Sequence, residues 1–551
     1  VVVLGGYGVF GSRLAALLVR DGHEVFITGR DQAKLATLAR QLRCRHLVLD
    51  HRRDPLSMFA LSPNVVIDAA GPFQSYGSDP YRIPRLCLEH GADYLDLSDN
   101  AEFTQAITQL DEQARARHLR ILSGASSVPG ISSVIAADLC AGLDEVLLID
   151  SAIMPGNRAP RGASVISSIV CQLGTTFRAY RGGVWRSQRC WSDPQRITLE
   201  PKLSRTVRLI EVPDIRLFPA FFKARSVIFR AGLELSILNA ALSVIAAVRK
   251  RWSFNVSPPL AEWLRRIANL LLPFGSDRGG MRVLVVGRSQ HMVIQRQWHL
   301  IAEAGDGPYM PAVVARAITR ALGSVPAGAR PCLAEVSRAE LEAAISDLKV
   351  TVETHESPSP SMFQSALAQT WNKLPSELQA LHRVFDVESF SGTAKVTQGG
   401  SLRARIAAWL FGFPKAADQI PVTVTKTRTP TGETWERNFG GRVFRSHLTP
   451  APAPHHVRER FGPFNFELEL PVQDGCMQLP VRRGWFLGIP MPQFLLPASE
   501  SREFSENGVF HFDVALIAPL GGGLIVRYQG RLNSDREQPT NTPSLCAKRI
   551  P

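Results

Sequence analysis

No uncharged run in the chain is long enough to cross a bilayer. The apolar stretch Leu235–Val248 would span about 21 Å as a helix, against a hydrocarbon core of roughly 30 Å. Arg225, Arg230 and Glu234 break any longer span. Cysteine is scattered: the eight residues Cys44, Cys87, Cys140, Cys171, Cys190, Cys332, Cys476 and Cys546 include no CxxC pair. Neither a zinc framework nor a disulfide scaffold is implied, and a reducing, cytoplasmic setting is expected. HExxH, GxSxG and Walker loops are missing, and the histidines lack ligand spacing apart from the adjacent His455-His456 in a Pro-rich loop, so no metal is expected. Acidic residues are in deficit, 49 against 63 basic, which gives a net charge of +14. The arginines form no long basic tract and no nucleic-acid module is present, so the charge reads as a solvated surface rather than a nucleic-acid footprint. No initiating Met stands before the first apolar strand, and a few preceding residues are expected to be missing.

What is present is a globular composition, 45% apolar and 20% charged over 551 residues, enough for two or three cores. From Val1 to about Gly124, short β-branched runs alternate with amphipathic stretches. VVVL, HEVFIT, HLVL, VVID, DYLDL and RILS read as six strands, with helices at 11–20, 31–42 and 79–90. This alternation predicts an α/β Rossmann unit, a doubly wound parallel sheet, over 1–143. Longer strand-like segments (EVLLIDSAIM, GMRVLVVGR, MVIQRQWHLIAEA) predict an α+β substrate or dimerisation domain over 144–354, with a capping box at Ser337 and Glu340. Within it, 224–251 and 260–274 read as an apolar helical hairpin around Ser257-Pro258-Pro259. Flanking arginines allow it to lie on an anionic membrane surface; a buried hairpin or homodimer interface is the equal alternative. HESPSPSMF opens an expected linker, 355–373. Residues 374–534 read as a β-rich domain whose strands surround either a hydrophobic ligand or a solid core, followed by a disordered tail, 535–551.

The motif that carries chemistry is Gly6-Tyr7-Gly8-Val9-Phe10-Gly11, which follows a strand and opens a helix. In a dinucleotide fingerprint the first glycine allows the turn, the second admits the pyrophosphate and the third brings helix and strand together. The helix N-terminus offers unpaired N–H donors to the diphosphate. An NAD site of this type carries an acidic residue after the second strand, which would repel a 2′-phosphate. Here Gly29-Arg30 stands there, and Arg can clamp a phosphate through two hydrogen bonds, so NADP is the expected cofactor. Asp50, after the third strand, reads as an adenine-side contact or a simple cap. Loops after strands four to six should face the nicotinamide: Gly71, Pro72 and Phe73, then Asp99, then Gly124–Gly130. Tyr76 and Asp99 are the candidates for proton transfer.

GGYGVFGSRLA, AAGPFQSYG, CLEHGADYLDLSDN and GASSVPGISS together resemble the NADP-binding domain of saccharopine dehydrogenase-like oxidoreductases. GSDRGGMRVLVVG and WHLIAEAGDGPYMPA extend the resemblance to about residue 350. It implies Gly6, Gly8, Gly11 and Arg30 at NADP and Gly71, Pro72 and Phe73 beside the nicotinamide. It also implies hydride transfer at a C=N, C=C or C=O bond of a small, in some members lipophilic, substrate. Members carry Gly-Glu where this chain has Asp99-Asn100, a departure that weakens the case for an amino-acid substrate. Residues 374–532, with FSGTAKVTQGGSL and TWERNFGGRVFRS, resemble a bacterial domain of unknown function found behind such modules. A non-catalytic NADP-binding, membrane-associated scaffold is the alternative reading.

Overall fold

In the computed structural model, residues 1–160, 169–252, 266–290 and 292–535 are described. The six expected strands are β1 (Val2–Leu4), β2 (Phe26–Gly29), β3 (Arg45–Val48), β4 (Val65–Asp68), β5 (Asp93–Asp96) and β6 (Arg120–Ser123). They pair in parallel in the order 6-5-4-1-2-3. Their central members are buried along their whole length, which is why they read as continuous apolar runs. Helix α1 (Val9–Arg20) places Leu14, Ala15, Leu17 and Leu18 against the sheet. Helix α2 (Gln32–Leu42) is capped by Asp31, whose carboxylate accepts from the Lys34 amide.

The sheet has a seventh strand that the expected boundaries did not include. Gly328–Pro331 pairs in parallel with β6, and helix 310–320 packs against α1. The chain therefore leaves the first unit, builds the second and returns. The physical reason is burial: Val313, Val314 and Ile318 have no surface exposure, and together with α1 they form one apolar cluster.

The second sheet is mixed. Its order is 195–200, 203–209, 227–231, 145–154, 279–289, 292–302 and 350–358, and only 227–231 and 145–154 run parallel. Two expectations are corrected here. Val227–Ala231 is a buried strand within the stretch read as helix; the helix runs over Ser236–Arg251. The short run Val227-Ile228-Phe229 has no period that separates helix from strand, and its β-branched residues settle into the sheet. The second helix of the hairpin lies partly outside the described residues. The expected linker 355–373 is also structured: Val350–Pro358 is the edge strand of this sheet, and Phe363 and Trp371 are buried in the next core. The expected tail lies outside the described residues apart from Asp535.

Thirteen strands between Val387 and Ser534, all antiparallel, form the third sheet. It curls: Leu468 and Val481 from one side of the strand order and Ser501 and Phe512 from the other line the same interior space. No described helix is long and apolar enough to cross a membrane.

Candidate nucleotide site and its buried carboxyls

The loop from β1 to α1 is built by close backbone approach. Gly5 has φ +69°, and a Cβ there would stand 2.7 Å from the Ala70 Cα. The left-handed turn thus belongs to Gly5, one residue before the glycine the motif assigns it to. The Gly6 amide donates to the Thr28 carbonyl (2.8 Å) and the Gly8 amide to the Gly5 carbonyl (2.8 Å). A Cβ on Gly11 would meet the Gly5 carbonyl oxygen at 2.3 Å, so the third glycine sets the helix-to-strand distance. Gly8 caps α1 without a side-chain hydrogen bond, and the first turn holds no acidic residue. The N–H donors at that end are left for an anion, which is the fit a dinucleotide diphosphate requires. Phe10 packs on the core, and the Val9 carbonyl accepts from Arg13 (2.6 Å).

At the end of β2, a Cβ on Gly29 would lie 2.3 Å from the Tyr7 ring, so the glycine lets Tyr7 fold over the strand end. The Lys34 ammonium stands 5.8 Å from the centre of that ring. Arg30 is exposed and makes no ion pair among the described residues. Asp50 bonds the Arg52 amide (3.1 Å), which gives it the capping role in its own turn.

In the loop after β4, Gly71, Pro72 and Phe73 differ in exposure. Phe73 is 5% exposed and packs on Phe103 and Tyr76 at 5.0 and 5.1 Å, so its ring belongs to the core; Gly71 and Pro72 are partly open. Tyr76 is tied down as well. Its hydroxyl donates to both oxygens of buried Asp68, at 2.9 and 3.0 Å. Burial first, then the Asp68 charge, pushes the phenol well above its ordinary value, which makes it a poor proton donor. Asp68 itself is raised by burial. Asp99 stands on the rim, exposed as a residue, yet crowded closely enough by protein that desolvation raises its carboxyl.

Two carboxyls that sequence reasoning missed lie beneath. Asp96 accepts from the Ser98 and Gly124 amides (2.9 and 2.8 Å) and the Ser123 hydroxyl (3.0 Å), but burial lifts it to about 7. Asp214, at the start of helix Pro213–Phe221, makes no well-formed side-chain hydrogen bond among the described residues. Burial outweighs the nearby Ser132 hydroxyl and lifts it to about 7 also. Its helix packs on Ala101–Ala106, the helix after the Asp99 loop. The loop Gly124–Gly130, expected at the nicotinamide, is wholly buried, with Gly130 against Val314. Nothing in the local sequence marks Asp214; only the meeting of two units buries it. On the second sheet, His299, Glu353 and His355 bring ligand-type atoms within 4.8 Å of one another, a grouping of adjacent strands that linear spacing does not reveal.

Residues 1–122 match the saccharopine dehydrogenase NADP-binding domain. The chain carries a dehydrogenase-like, NAD(P)-binding domain at its N-terminus. The match ends well before the residue-350 limit expected from the motifs. Residues 374–532 match a domain of unknown function, DUF4166, over the expected range. No curated protein matches the chain. Among solved structures, the apo saccharopine dehydrogenase (L-Glu forming) of Saccharomyces cerevisiae is 11% identical, with a TM-score of 0.49 over 64% of this chain and 99% of its own. Homospermidine synthase of Legionella pneumophila in complex with NAD is 12% identical, with a TM-score of 0.45 over 65% and 91%. Biliverdin reductase of Synechocystis sp., solved with biliverdin and NADP+, is 10% identical, with a TM-score of 0.27 over 62% and 93%.

Proposed function

We propose that the chain is an NADP(H)-dependent oxidoreductase acting on a C=N, C=C or C=O bond of a small molecule. The observation that carries the reading is the end of β2, where Gly29 leaves room for Tyr7 and exposed Arg30 has no ion partner among the described residues. A carboxylate there would repel a 2′-phosphate, whereas a free guanidinium binds one through parallel hydrogen bonds. The Gly6 and Gly8 loop and the uncapped end of α1 would hold the diphosphate. Gly71 and Pro72 would form the wall beside the nicotinamide, which when bound supplies the hydride.

Of the two proton-transfer candidates, Asp99 suits the role better. It is exposed as a residue and its carboxyl is raised by desolvation, while Tyr76 is committed to Asp68. Asp68 in turn fixes the loop by accepting from the Ala70 amide at 2.9 Å.

The test is a fluorescence titration of wild type and Arg30→Ala with NADPH and NADH. Preference for NADPH in wild type, lost in the variant, is the expected result. Equal affinity of wild type for the two nucleotides would remove Arg30 from the assignment, and no binding of either would leave the glycine loop a structural turn.

A further inference from the structure

The curled sheet of the C-terminal domain lines a cavity of about 180 Å³, partly open to the outside, whose lining is mostly apolar, with Phe413, Phe439, Phe444 and Tyr528 among its aromatic walls. Protein interiors ordinarily close such spaces, because side chains facing a void forfeit their dispersion contacts. An apolar cavity of about 150 Å³ is already large enough to stay dry and take up benzene. A ring-sized guest fits here.

A polar cluster forms one part of the wall. Lys426 is fully buried; its ammonium donates to the Leu381 carbonyl at 3.1 Å and stands 3.5 Å from the centre of the Trp435 ring. It also lies 3.5 Å from His382 Nδ1, while the other ring nitrogen contacts Glu503 at 2.6 Å. That places the imidazole proton on Nε2, facing the carboxylate, with Nδ1 turned to the ammonium. Arg437 bonds Glu459 at 3.0 Å and Ser446 at 2.8 Å. The lining thus sets two basic groups, Lys426 and Arg437, against two carboxylates, Glu459 and Glu503, and burial lowers Lys426 to about 7, so no positive charge is left unmatched. An ionised guest would find no spare counter-charge and would pay desolvation without return. A hydroxyl or carbonyl would be served by Ser499 and Ser501, which line the cavity and whose hydroxyls bond each other at 2.7 Å, leaving one O–H hydrogen to offer.

We propose that this cavity is a binding site for a neutral, ring-sized amphiphile: an apolar body carrying one hydroxyl or carbonyl group. The site is separate from the nucleotide site and needs no turnover there. Two features make it readable. Trp435 is part of the wall, and Val424 faces the same space from the neighbouring strand.

The experiment is a tryptophan quenching titration of the full chain with 4-bromobenzyl alcohol and with 4-bromobenzoate, whose bromine quenches an indole in contact with it. Saturable quenching by the alcohol is expected, at least tenfold weaker binding of the benzoate, and at least tenfold weaker binding of the alcohol to Val424→Phe, which fills the cavity. Leu448→Phe fills it from another strand and serves the same purpose should the first variant not fold. Quenching that stays linear in concentration, or that is undiminished in the filled variants, would overturn the site. Equal binding of the benzoate would overturn the neutral-head assignment.

Discussion

Arg181 and Asp386 form a two-pronged ion pair where the second unit meets the C-terminal domain, with Nε donating to Oδ2 at 2.9 Å and Nη2 to Oδ1. The side chains are 9% and 6% exposed. Arg225 to Glu388 (2.6 Å) and Arg186 to Ser389 (2.7 Å) extend the seam. Removing one partner of a buried pair costs about 3–5 kcal/mol, because the survivor is left charged without compensation. Asp386→Ala is expected to lose that much in urea unfolding, while the double change Arg181→Met with Asp386→Leu recovers most of it. Burial pushes the Asp386 carboxyl up, but Arg181 outweighs it and holds it below the ordinary value. Its contribution is present above the unfolded value of about 3.9 and is lost as pH falls through the depressed folded one. Equal stability of the single and double variants would show that the pair does not hold the seam.

Gly11→Ala tests the nucleotide loop. The new Cβ would press on the carbonyl oxygen of Gly5 at 2.3 Å, and both atoms are backbone or fixed to it, so α1 must move away from β1. Overpacking of this kind costs about 1–3 kcal/mol. The melting temperature and NADPH affinity should fall together. A variant that melts lower but binds NADPH as wild type does would separate the loop's packing from its binding role.

The glycine loop was legible because its spacing is local: turn, approach and packing all lie within seven residues of one strand end. The six strands were legible for a similar reason, as short apolar runs each bounded by turn residues. The seventh strand, Gly328–Pro331, has no alternation and pairs with a segment far earlier in the chain, so only tertiary burial places it. The same limit hid Asp214, which becomes unusual when Pro213–Phe221 packs on the first unit. For Phe73, a residue beside a cofactor loop and a residue beneath it have the same sequence context; only the structure shows its ring against Phe103.

Asp96→Asn should flatten a pH dependence. Burial lifts the Asp96 carboxyl to about 7 in the folded chain, against about 3.9 unfolded. A raised acid contributes stability that is complete below the unfolded value and lost as pH rises through the folded one. At about 1.4 kcal/mol per unit, the loss between pH 4 and 8 is on the order of 4 kcal/mol. Asn keeps an oxygen for the Ser98 and Gly124 amides and carries no charge. Urea unfolding at pH 5 and 8 should therefore show wild type losing stability across the interval and the variant losing much less. Parallel curves would mean that Asp96 titrates normally.

His382 works in the opposite direction. Burial first, and then the charge of Lys426, drive its imidazole down to about 4, with Glu503 opposing. A depressed folded value means that the unfolded chain takes up a proton near pH 6.5 while the folded chain refuses it. The stability it supports is whole above pH 6.5 and drains away as pH falls toward 4. One proton of difference corresponds to a slope of about 1.4 kcal/mol per pH unit, or about 3 kcal/mol over the window. His382→Gln retains a donor for Glu503 but cannot titrate. Unfolding free energies measured from pH 7.5 to 4.5 should show a slope shallower by close to one proton in the variant. Burial lowers the neighbouring Lys426 to about 7, so it titrates in both chains at the upper end of this window, and the imidazole is read from the difference in slope below pH 6. Identical slopes would mean that His382 is protonated in the fold, with its Nδ1 no longer free to face the Lys426 ammonium.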